Sequence, residues 1–359
     1  MADEIALAIG QEVPEYARPL EGAFGHGLRS GVTEALHRFV RLIGEPRSAE
    51  NVGLRVYVTL GRQEYRAGRT LDALQAAYRV GARVAWRHFA RSGYRAGLSQ
   101  ETMAALAESI FAYIDELSSE SVDGYAQAQA EHAGERERAG AELLGALLAD
   151  PPFEADVPGL AAMAGWRLPK RAAALVCSTD DLPGIARRLG SGVLHAQFKG
   201  MGCIVVPDAE APGRGGALAL AVRDAHAAIG PEGEMGQLPR SWRIASGALG
   251  AVASGTLVVA DDHLAELLLA ESAPVVERIA ERRLSALEAL TPAARERMSR
   301  TALAFVQLQG NAAAMARALS VHPQTARYRI ARLRELLGAQ LEDPAARFEL
   351  EAALRHHLG

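Results

Sequence analysis

Gln324, Thr325, Arg327 and Tyr328 follow directly on His322-Pro323, and Arg317, Arg329 and Arg332 lie close by in the chain. These residue types carry recognition chemistry rather than bond-breaking chemistry. A glutamine amide matches the donor–acceptor edge of adenine, and a threonine can meet a base or a thymine methyl group. Arg327 and Tyr328 fall one helical turn further along. Arg317, Arg329 and Arg332 suit backbone phosphates, which set affinity and register rather than sequence. His322 is placed to cap a helix or meet a phosphate. The candidate site is therefore Arg317, His322, Gln324, Thr325, Arg327, Tyr328, Arg329 and Arg332, and the expected partner is double-stranded DNA.

Two helices must hold these groups. Asn311 can cap a short helix, Ala312 to Leu319, and Ser320-Val321-His322 form a brief turn. Pro323 then opens a longer helix that stops at Gly338. Two helices joined by so short a turn have the helix-turn-helix pattern. In the second, Ala326, Ile330, Leu333 and Leu337 stand at i, i+4, i+7 and i+11, an apolar stripe for a core. The polar residues above occupy the other faces. The plainer alternative is a solvated basic helix within a bundle.

The 359 residues hold only two lysines, Lys170 and Lys199, and so 37 arginines. That bias fits a GC-rich genome and weakens any lone arginine as a signal, so only local clustering counts. Five arginines and no acidic residue lie between Arg317 and Arg334. From Thr291 to Gly359 the net charge is +4, whereas the whole chain carries −4. Basic charge is thus gathered where a recognition helix would meet phosphates.

The chain as a whole is ordinary globular material, 49% hydrophobic and 23% charged. At roughly 100–200 residues per domain it should hold two or three domains. Residues 1–150 read as helical, with three- and four-residue spacing over Gly25–Ile43 and Leu71–Phe89. A long helix from Ser99 passes through a charged stretch and ends at Pro151-Pro152. In residues 153–275 the spacing predicts an α+β domain. Its strands are Ala172–Cys177, Val193–Phe198, Cys203–Val206 and Arg243–Ala245, and its helices are Asp181–Leu189, Ala217–Ile229 and Asp261–Ala270, the last capped by Asp261 or Asp262. Residues 283–359 are helical again. The expected fold class is multidomain: an all-α N-terminal part, an α+β middle and an all-α helix-turn-helix end.

Other chemistries find little support. The chain has no G-x-S-x-G, no phosphate-loop motif and no metalloprotease histidine pair. Cys177 and Cys203 sit in apolar strands, as inert core thiols do. Neither a metal nor a cofactor is expected, nor is catalysis. An acidic N-terminus and the lack of an apolar run of about 18 residues argue for a cytoplasmic protein with no membrane partner. The row Arg79, Arg83 and Arg87 reads as a solvated face laced with ion pairs, with an anionic partner as the alternative.

The stretch Gly310-Asn311 … Ala316-Arg317-Ala318-Leu319 … Val321-His322-Pro323-Gln324-Thr325-Ala326-Arg327-Tyr328-Arg329-Ile330 … Leu333 … Leu336-Leu337-Gly338 resembles the C-terminal helix-turn-helix of PucR-type transcriptional regulators. So does the tail Leu341-Glu342-Asp343-Pro344 … Arg347-Phe348-Glu349-Leu350. The family usually has asparagine at the place of Gln324 and a larger aliphatic at that of Ala326. The middle segment resembles the degenerate GGDEF-like domain of such regulators. Its hairpin is Lys199-Gly200-Met201-Gly202, without the carboxylates that cyclase chemistry needs. Ala76 to Arg83 is similar to the N-terminal helical domain of RsbT co-antagonist proteins. The resemblance implies a sequence-specific regulator that binds an inverted repeat as a homodimer or tetramer and responds to a small-molecule effector. The alternative is a stressosome-like adaptor that works through protein partners without DNA.

Overall fold

The computed structural model describes residues 1–44, 54–150, 155–251 and 257–358. The predicted break at Pro151-Pro152 lies outside the described residues. The chain forms two compact units, Met1–Glu137 and Arg138–Gly359.

The first unit is helical: α1 (Ala2–Glu12), α2 (Gly22–Gly44), α3 (Leu54–Arg66), α4 (Leu71–Arg95) and most of α5 (Gln100–Leu148). Thr70 starts α4 by accepting the backbone N–H of Ala73 at 3.2 Å, which satisfies one of the orphan donors of the first turn. Glu15 in turn accepts from the Thr70 hydroxyl at 2.7 Å. Ile5 and Ile9 of α1 pack with Ala77, Val80 and Val84 of α4, and Phe39, Tyr57, Ile110, Tyr113 and Leu117 form a second apolar cluster. α3 crosses α5 at a pair of glycines. A Cβ on Gly61 would stand 2.0 Å from the carbonyl oxygen of Ser121, and one on Gly124 would stand 2.0 Å from that of Val58. Only glycine permits so close a backbone approach. Arg79, Arg83 and Arg87 are exposed; Arg83 pairs with Glu12, and His88 beside them pairs with Glu4. That is the ion-paired face.

The second unit begins with the last turns of α5, whose Leu143, Leu144 and Leu148 are buried. There follow α6 (Val157–Ala164), β1 (Arg171–Cys177), α7 (Leu182–Leu189), β2 (Leu194–Phe198), β3 (Met201–Pro207), α8 (Arg214–Ala221), β4 (Ala227–Ile229), β5 (Gly233–Glu234), α9 (Leu238–Ala251), β6 (Leu257–Val259) and α10 (Leu264–Glu271). The mixed sheet runs β2-β3-β1-β4-β6, with β5 added to β1. β1 is antiparallel to β3 and β4, and β4 is parallel to β6. Alternation sends Leu175, Ile204 and Val206 to one face, against Ile185, Leu218 and Val222. It sends Ala174, Cys203 and Val205 to the other, against Leu144 and Leu238.

The two cysteines fall on opposite faces of this sheet. Cys177 stands opposite Gly202 and Cys203 opposite Val176, so their side chains point apart. Both are free and buried. Burial pushes the Cys177 thiol up to about 11 and that of Cys203 up further, away from the reactive thiolate.

Three sequence expectations fail in this region. Arg243–Ala245 is not a strand but lies inside α9, where Leu238, Ser241, Ala245 and Ala248 are buried at helical spacing. The helix expected over Ala217–Ile229 stops at Ala221, and Ala227–Ile229 is β4, an interior strand between β1 and β6. All three of its residues are buried, and tertiary burial overrides the helical preference of alanine. Neither Asp261 nor Asp262 caps a helix. They sit in a 3-10 turn, Ala260–His263, and His263 occupies the N-cap of α10 without a side-chain bond.

The remaining helices are α11 (Ala273–Glu288), α12 (Pro292–Gln307), α13 (Ala312–Ala318), α14 (Pro323–Leu337) and α15 (Pro344–Leu358). They enclose one core that includes Leu287, Phe305, Met315, Leu333, Leu350 and Leu354. Glu349 on α15 joins Arg282 and Arg283 on α11.

Candidate nucleic-acid interface

The turn between α13 and α14 is built by backbone chemistry. Asn311 opens α13 by accepting the N–H groups of Ala313 and Ala314, both at 3.1 Å. At the other end the Val321 N–H returns to the Ala316 carbonyl at 2.9 Å. That closure requires a left-handed residue in between, and Ser320 supplies it at φ 53°. His322 then caps α14: its Nδ1 accepts the Gln324 N–H at 3.3 Å. Pro323 takes the first helical position, where no donor is needed.

α14 is sharply two-sided. Ala326, Ile330, Leu333 and Leu337 are 1%, 6%, 0% and 3% exposed and face the core. Gln324, Thr325, Arg327 and Tyr328 are exposed and crowd the N-terminal turns of the outer face. Tyr328, 71% exposed, is an aromatic ring with no burial to explain it. Arg332 is exposed and pairs with Glu335 at 2.6 Å. Arg317 lies on the exposed side of α13, and Arg329 is half-buried.

The structure thus brings Gln324, Thr325, Arg327 and Tyr328 together on one helix face, with His322 at its root. Arg329 turns another way. It lines a polar recess of about 580 Å³ with Ser320, Gln307, Arg297 and Arg300. Arg297 and Arg300, exposed on α12, were missed by the sequence reading, although Arg300 is held by Glu296 at 2.7 Å. Their signal was present as a second basic cluster one helix earlier. It lay outside the window Arg317–Arg334, and only the fold sets it beside Arg329. The recess gathers guanidinium groups from α12 and α14 beside Leu319 and Ser320.

Among the described residues no group of three or more His, Cys, Asp or Glu side chains is placed to hold a metal ion. No described helix is long and apolar enough to cross a membrane.

Residues 1–148 match the PucR-like N-terminal domain. Residues 298–356 match the PucR C-terminal helix-turn-helix domain, which takes in the end of α12 and all of α13 and α14. No curated protein matches significantly. Among solved structures, this chain is similar to the regulator of polyketide synthase expression from Bifidobacterium adolescentis. The identity is 19%, over 61% of this chain and 97% of that one, with a TM-score of 0.32.

Proposed function

We propose that this chain, which belongs to the PucR-type transcriptional regulators and as such is a DNA-binding regulator, reads a specific operator with α14. Gln324, Thr325, Arg327 and Tyr328 contact base edges in the major groove, as the N-terminal residues of a recognition helix do. Arg317, Arg329 and Arg332 hold backbone phosphates, and His322 fixes the helix start. The observation that carries this reading is the division of α14 into a buried Ala326–Leu337 stripe and an exposed polar start.

A single module of this kind covers only ~600–1,000 Å² of surface, which limits its affinity. A homodimer or tetramer on an inverted repeat meets that limit, since two half-sites are read at once. Residues 1–150 then serve as the sensing and oligomerising part, 153–275 as a relay and 283–359 as the DNA reader. The relay is a degenerate GGDEF-like domain: its β2–β3 turn is Lys199-Gly200, both at positive φ, and holds no carboxylate. An effector acting on the N-terminal part sets the occupancy of the operator.

A gel shift with a salt titration tests the reading. Affinity for the operator should fall steeply with salt, because phosphate contacts release counterions. A stressosome-like adaptor would show no such binding. Sedimentation of the full chain at micromolar concentration should give an even-numbered oligomer, and a monomer that protects one half-site would overturn that part.

A further inference from the structure

The first unit holds a partly open cavity of about 330 Å³ between α1, α2, α3, α4 and α5. Protein interiors are close-packed and hold few voids larger than a water. This space has the volume of a small-molecule site, about 300–1,000 Å³. We propose that it binds a neutral, largely apolar, ring-containing small molecule. The inference gives the effector of the preceding section a site and rests on that reading only for its biological role.

Three observations carry it. The wall is apolar and aromatic, with Phe24, Phe39 and Phe89 facing the space, and aromatic side chains pack well against flat apolar rings. Second, the charged groups and the tyrosines on the wall are already engaged. Tyr16 donates to Glu64 at 2.6 Å and Arg69 donates to the same carboxylate at 2.9 Å, so charge is matched within the protein. Tyr113 donates to the Ala35 carbonyl at 2.9 Å and stands 3.0 Å from Tyr57. Among the described residues no unmatched charge faces the cavity, which disfavours an ionic ligand. Third, Gly27 and Gly31 line it on α2, yet an added Cβ at either would meet nothing within 4 Å. Glycine weakens a helix interior, and no close backbone approach requires it here. Both glycines are solvent-exposed, so they stand at the rim of the space and leave its edge free of side chains.

The test uses the full chain and N-phenyl-1-naphthylamine, a neutral two-part aromatic probe whose fluorescence rises in apolar surroundings. The expected result is saturable binding at one site per chain, displaced by 1-decanol but not by decanoate. Val32→Trp, which adds bulk at a half-buried position on the wall, should weaken binding at least tenfold with the circular dichroism unchanged. Phe111→Ser, which removes an exposed ring elsewhere on the unit, should leave binding as it is. Should Val32→Trp fail to fold, Leu28→Trp repeats the test one turn away. Hydrogen exchange of the unaltered chain adds a readout free of substitutions: the probe should slow exchange in α2 and α4. Non-saturable binding, equal displacement by decanoate, an unaffected folded filling variant, or slowing outside this unit would each overturn the proposal. None of these readouts involves DNA. A chain that binds the probe but no operator rejects the regulator reading and keeps the site, and the reverse rejects the site alone.

Discussion

The ring of His322 accepts the backbone N–H of Gln324 at 3.3 Å, so the residue that starts α14 also fixes the first candidate base-reading residue. Replacing a capping side chain by alanine typically costs ~0.5–2 kcal/mol. His322→Ala should lower the thermal midpoint of the full chain, and His322→Ser, which keeps an acceptor, should recover most of the loss. Equal midpoints for the alanine variant and the unaltered chain would show that the cap is not energetically significant.

Arg327 and Arg329 are two residues apart and should fail differently. Arg327→Ala or Gln324→Ala removes a group proposed to face the bases, and a lost bidentate base contact costs ~1–3 kcal/mol. Binding to the operator should drop while binding to unrelated DNA persists. Arg329→Ala or Arg332→Ala should weaken both alike and lower the slope of log K against log salt by about one per lost phosphate contact. Gel shifts at several salt concentrations distinguish the two classes. Operator binding unchanged in both Arg327→Ala and Gln324→Ala would mean that another face reads the DNA.

Leu333 is fully buried in the C-terminal core. Leu333→Asp places an unpaired carboxylate there, at a cost of several kcal/mol. Amides of α12 to α15 should exchange rapidly with solvent while those of α4 stay protected. Full protection of α14 in the variant would remove Leu333 from the core.

Glu349 gives a pH dependence. Its hydrogen bonds to Arg282, then Arg283, hold its carboxyl below the usual carboxylate range. A group whose native pKa lies below its unfolded one adds stability above the unfolded value and loses it as pH falls through the native value. Glu349→Gln should therefore be less stable than the unaltered chain at pH 7, and the gap should close on acidification. Urea melts at pH 7 and pH 3 compare them. A gap that widens in acid would reverse the assigned sign.

The C-terminal domain was legible because its signals agree: Asn311, Pro323 and Gly338 bound the helices, and the Ala326–Leu337 stripe has one period. The middle domain was less so. Ala227–Ile229 is too short for periodicity to show, and its alanines suit a strand only because helices cover both faces of the sheet. Arg243-Ile244-Ala245 looks extended over three residues, and only the wider spacing from Leu238 to Ala248 shows the helix. The cavity of the first unit was invisible, since Phe24, Phe39, Glu64 and Phe89 are far apart in sequence and no single motif links them. Arg297 and Arg300 were hidden for the same reason. Their place beside Arg329 is a property of how α12 crosses α14, not of either helix.

The reciprocal glycines at the α3–α5 crossing bear on heredity. Every amino acid that can replace Gly61 or Gly124 adds at least a Cβ, and each Cβ would stand 2.0 Å from a carbonyl oxygen of the facing helix. No missense change at either codon, however conservative, leaves the crossing as it is. A deep mutational scan selected for an intact N-terminal unit should therefore show two columns almost empty of survivors. Gly27 and Gly31, on open space, should accept alanine freely.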